Sequence, residues 1–149
     1  EEEIIFLEHY LRLESIRFDN KFKFKIEISS PGIELYRIPP MIIQPFVENA
    51  IWHAFDDDQI LGSLLIKFIK DDRNIVCIVK DNGSGFETNF EKKKKTKSFG
   101  VSVTKKRINL INSMYGTGIN VCFGDELIMR KHEYGTLIEI RMPLFEPLT

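Results

Sequence analysis

The residues best suited to chemistry fall in two short segments. Asp81-Asn82-Gly83-Ser84-Gly85-Phe86 follows the strand-like run NIVCIVK, and Asn49 lies upstream in the amphipathic stretch QPFVENAIWHAF. A carboxylate where a buried strand ends can accept a hydrogen bond from an exocyclic amine such as that of adenine. Guanine carries a carbonyl at the equivalent place and would be repelled. Gly83 and Gly85 would let the backbone approach a flat base. Asp-Asn-Gly is also ordinary tight-turn chemistry, so the hexapeptide alone does not separate a base pocket from a plain turn. Asn49 offers a neutral oxygen on a helix face. Mg2+ prefers hard oxygen ligands and keeps several waters while bridging phosphates, so one amide oxygen is a sufficient contribution. His53 lies one helical turn on and shares that face, where it could stack on a base or donate to a phosphate. Taken singly, a surface asparagine and a packing histidine account for these two positions equally well.

Two further segments suit the other end of a nucleotide. Ser98-Phe99-Gly100-Val101 opens a helical pattern. A helix N-terminus supplies unpaired amide donors and the positive dipole end, which together hold phosphate. The preceding Lys-rich EKKKKTK run adds cations, although most of these lysines read as a solvated loop. They lack the interleaved aromatics of a nucleic-acid groove. Gly135-Thr136 precedes a final strand. The Thr136 hydroxyl could reach a base through water, and a strand-start threonine explains it as readily.

The elements that must position these residues follow from periodicity. Residues 1–18 read as a helix with apolar positions at Ile4, Leu7 and Leu11 and again at Phe6, Tyr10 and Leu13. Phe22, Phe24, Ile26 and Ile28 alternate with Lys21, Lys23, Lys25 and Glu27, a half-buried strand. Pro31-Gly32 makes a turn. Ile38-Pro39-Pro40 leads into a second helix with the stripe Ile43, Phe46, Val47, Ala50, Ile51 and Ala54, its regular part beginning near Pro45. Asp56-Asp57-Asp58 ends it. LLIKFI and NIVCIVK are strands in a hairpin around Asp71-Asp72-Arg73-Asn74. Residues 87–99 read as a loop. A third helix runs from Val101 to Tyr115, carried by Val101, Ile108, Ile111 and Tyr115 with Val103, Leu110 and Met114 beside them, and Gly116 terminates it. INVCF and TLIEIRMP supply the last two strands, with a charged loop from Gly124 to Glu133 between them. The order predicts an α/β (α+β) two-layer sandwich with a mixed, mostly antiparallel sheet against about three helices.

Composition narrows the class. The chain has 149 residues, net charge −1, 43% hydrophobic and 29% charged residues. That suits one domain with a sizeable core and gives no global field for nucleic acid or an anionic membrane. Cys77 and Cys122 sit far apart in apolar runs and read as free thiols of a reducing compartment. No run reaches membrane-span length, so direct membrane insertion by this segment is not expected. The chain opens directly in a helical pattern, as a fragment would.

These segments, in this order, resemble the ATP-binding domain shared by sensor histidine kinases, DNA gyrase-type ATPases, heat-shock chaperones and mismatch-repair proteins, the Bergerat fold. QPFVENAIWHA is similar to its N box, DNGSGF to its G1 box, SFGVSVTKKRI to its G2 box, and Gly135-Thr136 to its strand-leading pair. IPPMIIQPFVENAIWHA, YLRLESIRF and RINLINSMYG resemble LytS/YehU-type sensor histidine kinases in particular.

The resemblance implies ATP and Mg2+ as cofactors. Asn49 would hold Mg2+, and Asp81 would read adenine between Gly83 and Gly85. Ser98, Phe99, Gly100 and Val101 would hold phosphates, residues 87–99 would be the ATP lid, and His53 and Thr136 would touch the nucleotide. Glu48 would have a polarising or bracing role in catalysis. The family places its phospho-accepting histidine ahead of Glu1, and neither His9 nor His132 matches that motif. Residues 1–18 would then be a linker helix from a dimerisation and phospho-acceptor region, and 19–149 the ATP-binding domain. The parent would be a homodimeric sensor protein of a bacterial inner membrane with this part in the cytoplasm, relaying phosphate to a response regulator. Three positions depart from the family pattern: Ser98 stands where the lid motif begins with glycine, Trp52 where a basic residue is usual, and Val103 where asparagine is common. They bear on phosphate affinity more than on adenine recognition. A non-catalytic regulatory module and an independent ATPase are the competing readings.

Overall fold

The computed structural model describes residues 2–54, 61–83, 97–123 and 135–144; for 53, 54 and 97–101 the description is of the backbone. Helix α1 spans Glu2–Arg17, strand β1 Phe22–Ile28, a 3-10 turn Ile33–Leu35, helix α2 Gln44–Ala54, strands β2 Gly62–Lys70 and β3 Asn74–Asp81, helix α3 Lys97–Tyr115, and strands β4 Asn120–Phe123 and β5 Leu137–Pro143. The sheet order is β1-β2-β3-β5-β4. β1 pairs with β2 in parallel, and every other pairing is antiparallel. Parallel neighbours need a long crossover, and α2 supplies it. This is the expected two-layer sandwich with a mixed sheet.

Period-2 alternation explains which face the sheet buries. Leu64, Ile66 and Phe68 of β2, Ile75, Cys77 and Val79 of β3, and Ile138, Ile140 and Met142 of β5 point into one core. Leu65, Lys67, Ile78 and Glu139 alternate with them and are only half-buried. The helices cover the inward face: α2 packs on β2, β3 and α3, and α1 packs on β1. Phe46, Val47, Ala50 and Ile51 form the buried stripe of α2, as periodicity predicts, with Ile43 buried just ahead of the helix. Gln44 begins that helix and Pro45 takes its first turn, where a missing amide donor leaves nothing unsatisfied. Cys77 is a buried free thiol whose ionisation burial opposes, while Cys122 is free and half-buried.

Three expectations need correction. α1 has one buried stripe, Leu7, Leu11 and Glu14, whereas Phe6 and Leu13 are 48% and 68% exposed. A single sheet edge can cover only one face of a helix. α3 starts at Lys97, so 97–99 are helical rather than part of the loop. Nothing in Lys97-Ser98-Phe99 breaks a helix, and Gly100 falls in the first turn, whose amides need no helical partner. Among the described side chains of α3, Thr104 and Ile108 are buried and Ile111 half-buried, leaving Val103, Leu110, Met114 and Tyr115 exposed, while the side chain of Val101 lies outside the described residues. Gly116 ends this helix as expected, in the left-handed region (φ 63°), its amide bonding to the Asn112 carbonyl at 2.8 Å. The helix stop at Asp56-Asp57-Asp58, the 87–96 part of the loop and the Gly124–Glu133 loop lie outside the described residues, apart from the α2 end at Ala54. Among the described residues no helix is long and apolar enough to cross a membrane.

The β2–β3 hairpin is closed by Asp71. Its Oδ1 accepts the amides of Arg73 (2.9 Å) and Asn74 (2.6 Å). Those bonds, the Arg73 amide foremost, hold its carboxyl below the usual aspartate range. A depressed folded-state pKa gives stability that is present above the unfolded value and lost as pH falls through the folded one. Asp71→Ala is therefore expected to lower the melting temperature at neutral pH. The deficit should shrink as pH falls below the ordinary aspartate range, and a pH series of thermal melts checks this.

Candidate functional site

Asp81 lies on the inward face of β3, two residues beyond Val79 in the period-2 register, and is only 4% exposed. Its Oδ1 accepts the amide of Gly83 at 2.9 Å and that of Thr136 at 3.2 Å. Its own amide donates to the Thr136 carbonyl at 3.0 Å. The carboxylate is thus fixed by backbone donors at the junction of β3 and the start of β5, aimed into the helix layer. Such charge-assisted bonds hold a carboxylate firmly in place.

Two neighbours make this junction rigid. Asn82 clamps the β2 edge: its Oδ1 accepts the Ser63 amide at 2.6 Å, its Nδ2 donates to the Leu61 carbonyl at 3.1 Å, and its own amide donates to the Ser63 carbonyl at 3.2 Å. Gly135 passes so close that a Cβ there would collide with the Asp81 carbonyl oxygen, and its φ of 122° also favours glycine. Sequence reasoning singled out the Thr136 hydroxyl; the structure shows the Thr136 main chain bonded to Asp81. Asn82 and Gly135 were missed as positioning residues. Their signals were an Asn inside a turn and a Gly just ahead of a strand, which become specific only when β2, β3 and β5 are adjacent.

Asn49 sits half-buried on α2, whose apolar side packs on β3, the strand that ends in Asp81. Among the described residues its amide has no hydrogen-bond partner. His53 follows one turn later in the same helix; its side chain lies outside the described residues. Ser98, Phe99, Gly100 and Val101 form the first turn of α3 by their backbone, the end that presents free amides. Gly85 and His132 fall outside the described residues, and His9 is exposed on α1. Glu48 is half-buried, and its Oε1 accepts from Gln44 Nε2 at 2.8 Å. Trp52, 46% exposed, lies beneath the Arg17 guanidinium, 4.8 Å from its ring. Gly83, Thr136 and Asp81 are thus joined directly, and α2 and α3 bring Asn49 and the Ser98–Val101 turn into the same helix layer.

A cavity of about 660 Å3 lies elsewhere, lined by Glu3, Ile33, Tyr36 and Ile38 with Phe68 and Ile75. Phe68 and Ile75 sit toward the hairpin end of β2 and β3, whereas Leu64 pairs with Asp81 at the other end.

No family model matches the chain. It is 39% identical over 83 residues to the sensor protein LytS of Bacillus subtilis, covering 56% of this chain and 14% of that protein. It is 29% identical over 150 residues to the sensor protein LytS of Streptococcus agalactiae, covering 96% of this chain and 24% of that protein. The chain therefore spans less than a quarter of the length of either relative. Among solved structures it superposes on the catalytic domain of the histidine kinase ThkA with a TM-score of 0.55 at 18% identity, covering 92% of both chains. Over most of its length the chain is similar to part of the sensor protein LytS, and it has the fold of a histidine-kinase catalytic domain.

Proposed function

We propose that this chain is the ATP-binding catalytic part of a two-component sensor histidine kinase. The observation that carries the reading is the buried Asp81 carboxylate, fixed by the amides of Gly83 and Thr136 where a base could meet it. Asp81 would accept the exocyclic amine of adenine, with Gly83 and Gly85 shaping the base pocket. The helix-start amides of Ser98, Phe99, Gly100 and Val101 would hold phosphate oxygens. The half-buried Asn49 amide, without a partner among the described residues, fits one oxygen ligand of Mg2+. The metal would neutralise phosphate charge. His53 and Thr136 would touch the nucleotide, and Glu48 would polarise or brace the site beside Asn49.

In the proposed reaction the bond between the γ-phosphorus and the β–γ bridging oxygen breaks, a phosphorus–nitrogen bond to a histidine imidazole forms, and ADP leaves. Positioning and charge neutralisation dominate such a transfer. The accepting histidine would lie outside this chain, in the dimerisation region that residues 1–18 link to the 19–149 domain. A response regulator would take the phosphoryl group onward, and the parent would be a homodimer held at a bacterial inner membrane with this part on the cytoplasmic side. A second reading, a regulatory module without transfer, draws support from Trp52, which stands in the place of a usual basic residue and is covered by Arg17. Labelled ATP given to the full-length parent separates the two: the kinase reading expects phosphohistidine, and its absence favours the regulatory one.

Calorimetry on the chain should show Mg2+-dependent ATP binding. Asp81→Asn should weaken it by roughly tenfold to a hundredfold, the scale of losing a hydrogen bond to a charged group. A wild-type chain that binds no ATP would sink the nucleotide reading. Gly135→Ala should lower stability by about 1–3 kcal/mol, the scale of backbone strain at such a position, in urea unfolding. An unchanged midpoint would contradict the close approach of Gly135 to Asp81.

A further inference from the structure

Helices α2 and α3 pack together and run in opposite directions. β1 ends at Ile28 opposite Phe68, near the hairpin, and β2 begins at Gly62 opposite Phe22. The chain must return along the sheet between them, and α2 makes that return, from the hairpin end toward the end that holds Asp81. α3 makes the reverse journey. β3 ends at Asp81, whereas β4 begins at Asn120, whose partner Arg141 pairs in turn with Val76 near the hairpin. The Ser98–Val101 turn of α3 therefore lies toward the Asp81 end, and α2 carries Asn49 in the same direction.

Arg107 of α3 reaches across to the turn that leads into α2. Its Nη2 donates to the Pro40 carbonyl at 3.0 Å and its Nη1 to the Met41 carbonyl at 3.4 Å. From α1, Glu3 holds the same turn, its carboxylate oxygens accepting the Met41 amide at 3.1 and 3.3 Å. The Pro40 carbonyl and the Met41 amide belong to one peptide group. That group is gripped at its oxygen by a guanidinium and at its nitrogen by a carboxylate, both charge-assisted contacts. The grip holds a conformation that the turn would not choose. Met41 is left-handed (φ 57°), a state that a residue with a Cβ keeps only when its surroundings impose it. Ile42 and Ile43 follow directly and are fully buried, so a change in the turn passes into α2 with no slack between.

We propose that Arg107 is a positioning residue: by clamping the Pro40–Met41 turn, it sets the span between Asn49 on α2 and the Ser98–Val101 amides on α3, and so the fit of a metal-bridged phosphate between them. At the helical rise, Asn49 stands about 7.5 Å beyond Gln44 and Val101 about 9 Å beyond Arg107, both toward the Asp81 end. The clamp is thus at the foot of two arms of similar length. The Arg107 guanidinium is engaged with the turn, so it acts through α2 and not on the nucleotide. A displacement of about 1 Å is enough to matter in such a site. The inference rests on the nucleotide reading given above.

The test is calorimetry of the chain with ATP, once with Mg2+ and once with chelator, on wild type, Arg107→Lys, Arg107→Ala and the double variant Arg107→Ala with Met41→Gly, with thermal melts alongside. Arg107→Ala should cut the gain in affinity that Mg2+ brings about three- to tenfold, the scale of mutations in coupling networks. Metal-free ATP binding, which does not use Asn49, should stay as in the wild type. Arg107→Lys, which keeps one donor group for the turn, should lose less. Met41→Gly should recover most of the loss, because glycine takes the left-handed conformation without strain and the turn then keeps its shape unclamped. Equal weakening with and without Mg2+ is what a merely structural role gives, and it overturns the proposal. So does a loss that Met41→Gly leaves in place, which would put Arg107 on the nucleotide itself. If Arg107→Ala fails to fold, Arg107→Lys decides: a loss confined to the Mg2+ condition supports the proposal, and a loss in both conditions or in neither overturns it. A wild-type chain that binds no ATP, or gains nothing from Mg2+, overturns the nucleotide or the metal reading together with this proposal. A normal wild-type gain with indifferent variants overturns this proposal alone.

Discussion

The fixed carboxylate of Asp81 is the constraint around which the site is built. An aspartate on the inward face of a strand would ordinarily be expelled, because burying a charge without partners is costly. Here the Gly83 and Thr136 amides converge on Oδ1. That arrangement demands that β5 begin right beside the end of β3. The antiparallel β3–β5 pairing delivers the start of β5 to that place, pairing Leu137 with Lys80. Gly135 permits the approach, because any side chain there would meet the Asp81 carbonyl. Asn82 then ties the same turn to the start of β2, so three strands share one corner. The corner is rigid because its bonds are to backbone, and a ligand group reading Asp81 would meet a preorganised acceptor.

The helix layer is held by different forces. Apolar packing of Phe46, Val47, Ala50 and Ile51 seats α2 on the sheet. Its lateral setting is governed by polar contacts at its flank and base, where α1 and α3 both grip the turn ahead of it. Apolar contact is tolerant of small shifts, whereas hydrogen bonds and stacked cations are not. The sheet therefore fixes the Asp81 corner, while the helices set the Asn49 side. A nucleotide spanning both would sense the relation between them.

Much of this was legible in the sequence. Alternation in Lys21-Phe22-Lys23-Phe24 revealed β1, and the run from Leu64 with the run from Asn74 revealed the hairpin, since period and turn chemistry are local. The inward parity of Asp81 was readable too, two residues on from Val79. What stayed hidden depends on contacts distant in sequence. Phe6 and Leu13 look like core residues until the neighbouring surface is known, and both are exposed. The left-handed Met41 is not announced by its residue type, since glycine or asparagine would be the usual choice. Its support comes from Glu3 and Arg107, far away in the chain. Glu48 draws attention by adjoining Asn49, yet its hydrogen bond is to Gln44, one turn back on the same helix. The start of α3 was misplaced because a first helical turn has no periodic signature.

The central claim is that Asp81 reads an amine on the base rather than only closing a turn. Competition binding of ATP against inosine triphosphate on the wild-type chain tests this most directly. The two nucleotides share ribose, phosphates and metal, and differ in an exocyclic amine against a carbonyl at the base position in question. The account predicts that ATP displaces a bound adenine nucleotide while inosine triphosphate competes at least roughly tenfold less well, the scale of one hydrogen bond to a charged acceptor. Equal competition by the two would contradict it and leave Asp81 as a structural carboxylate alone.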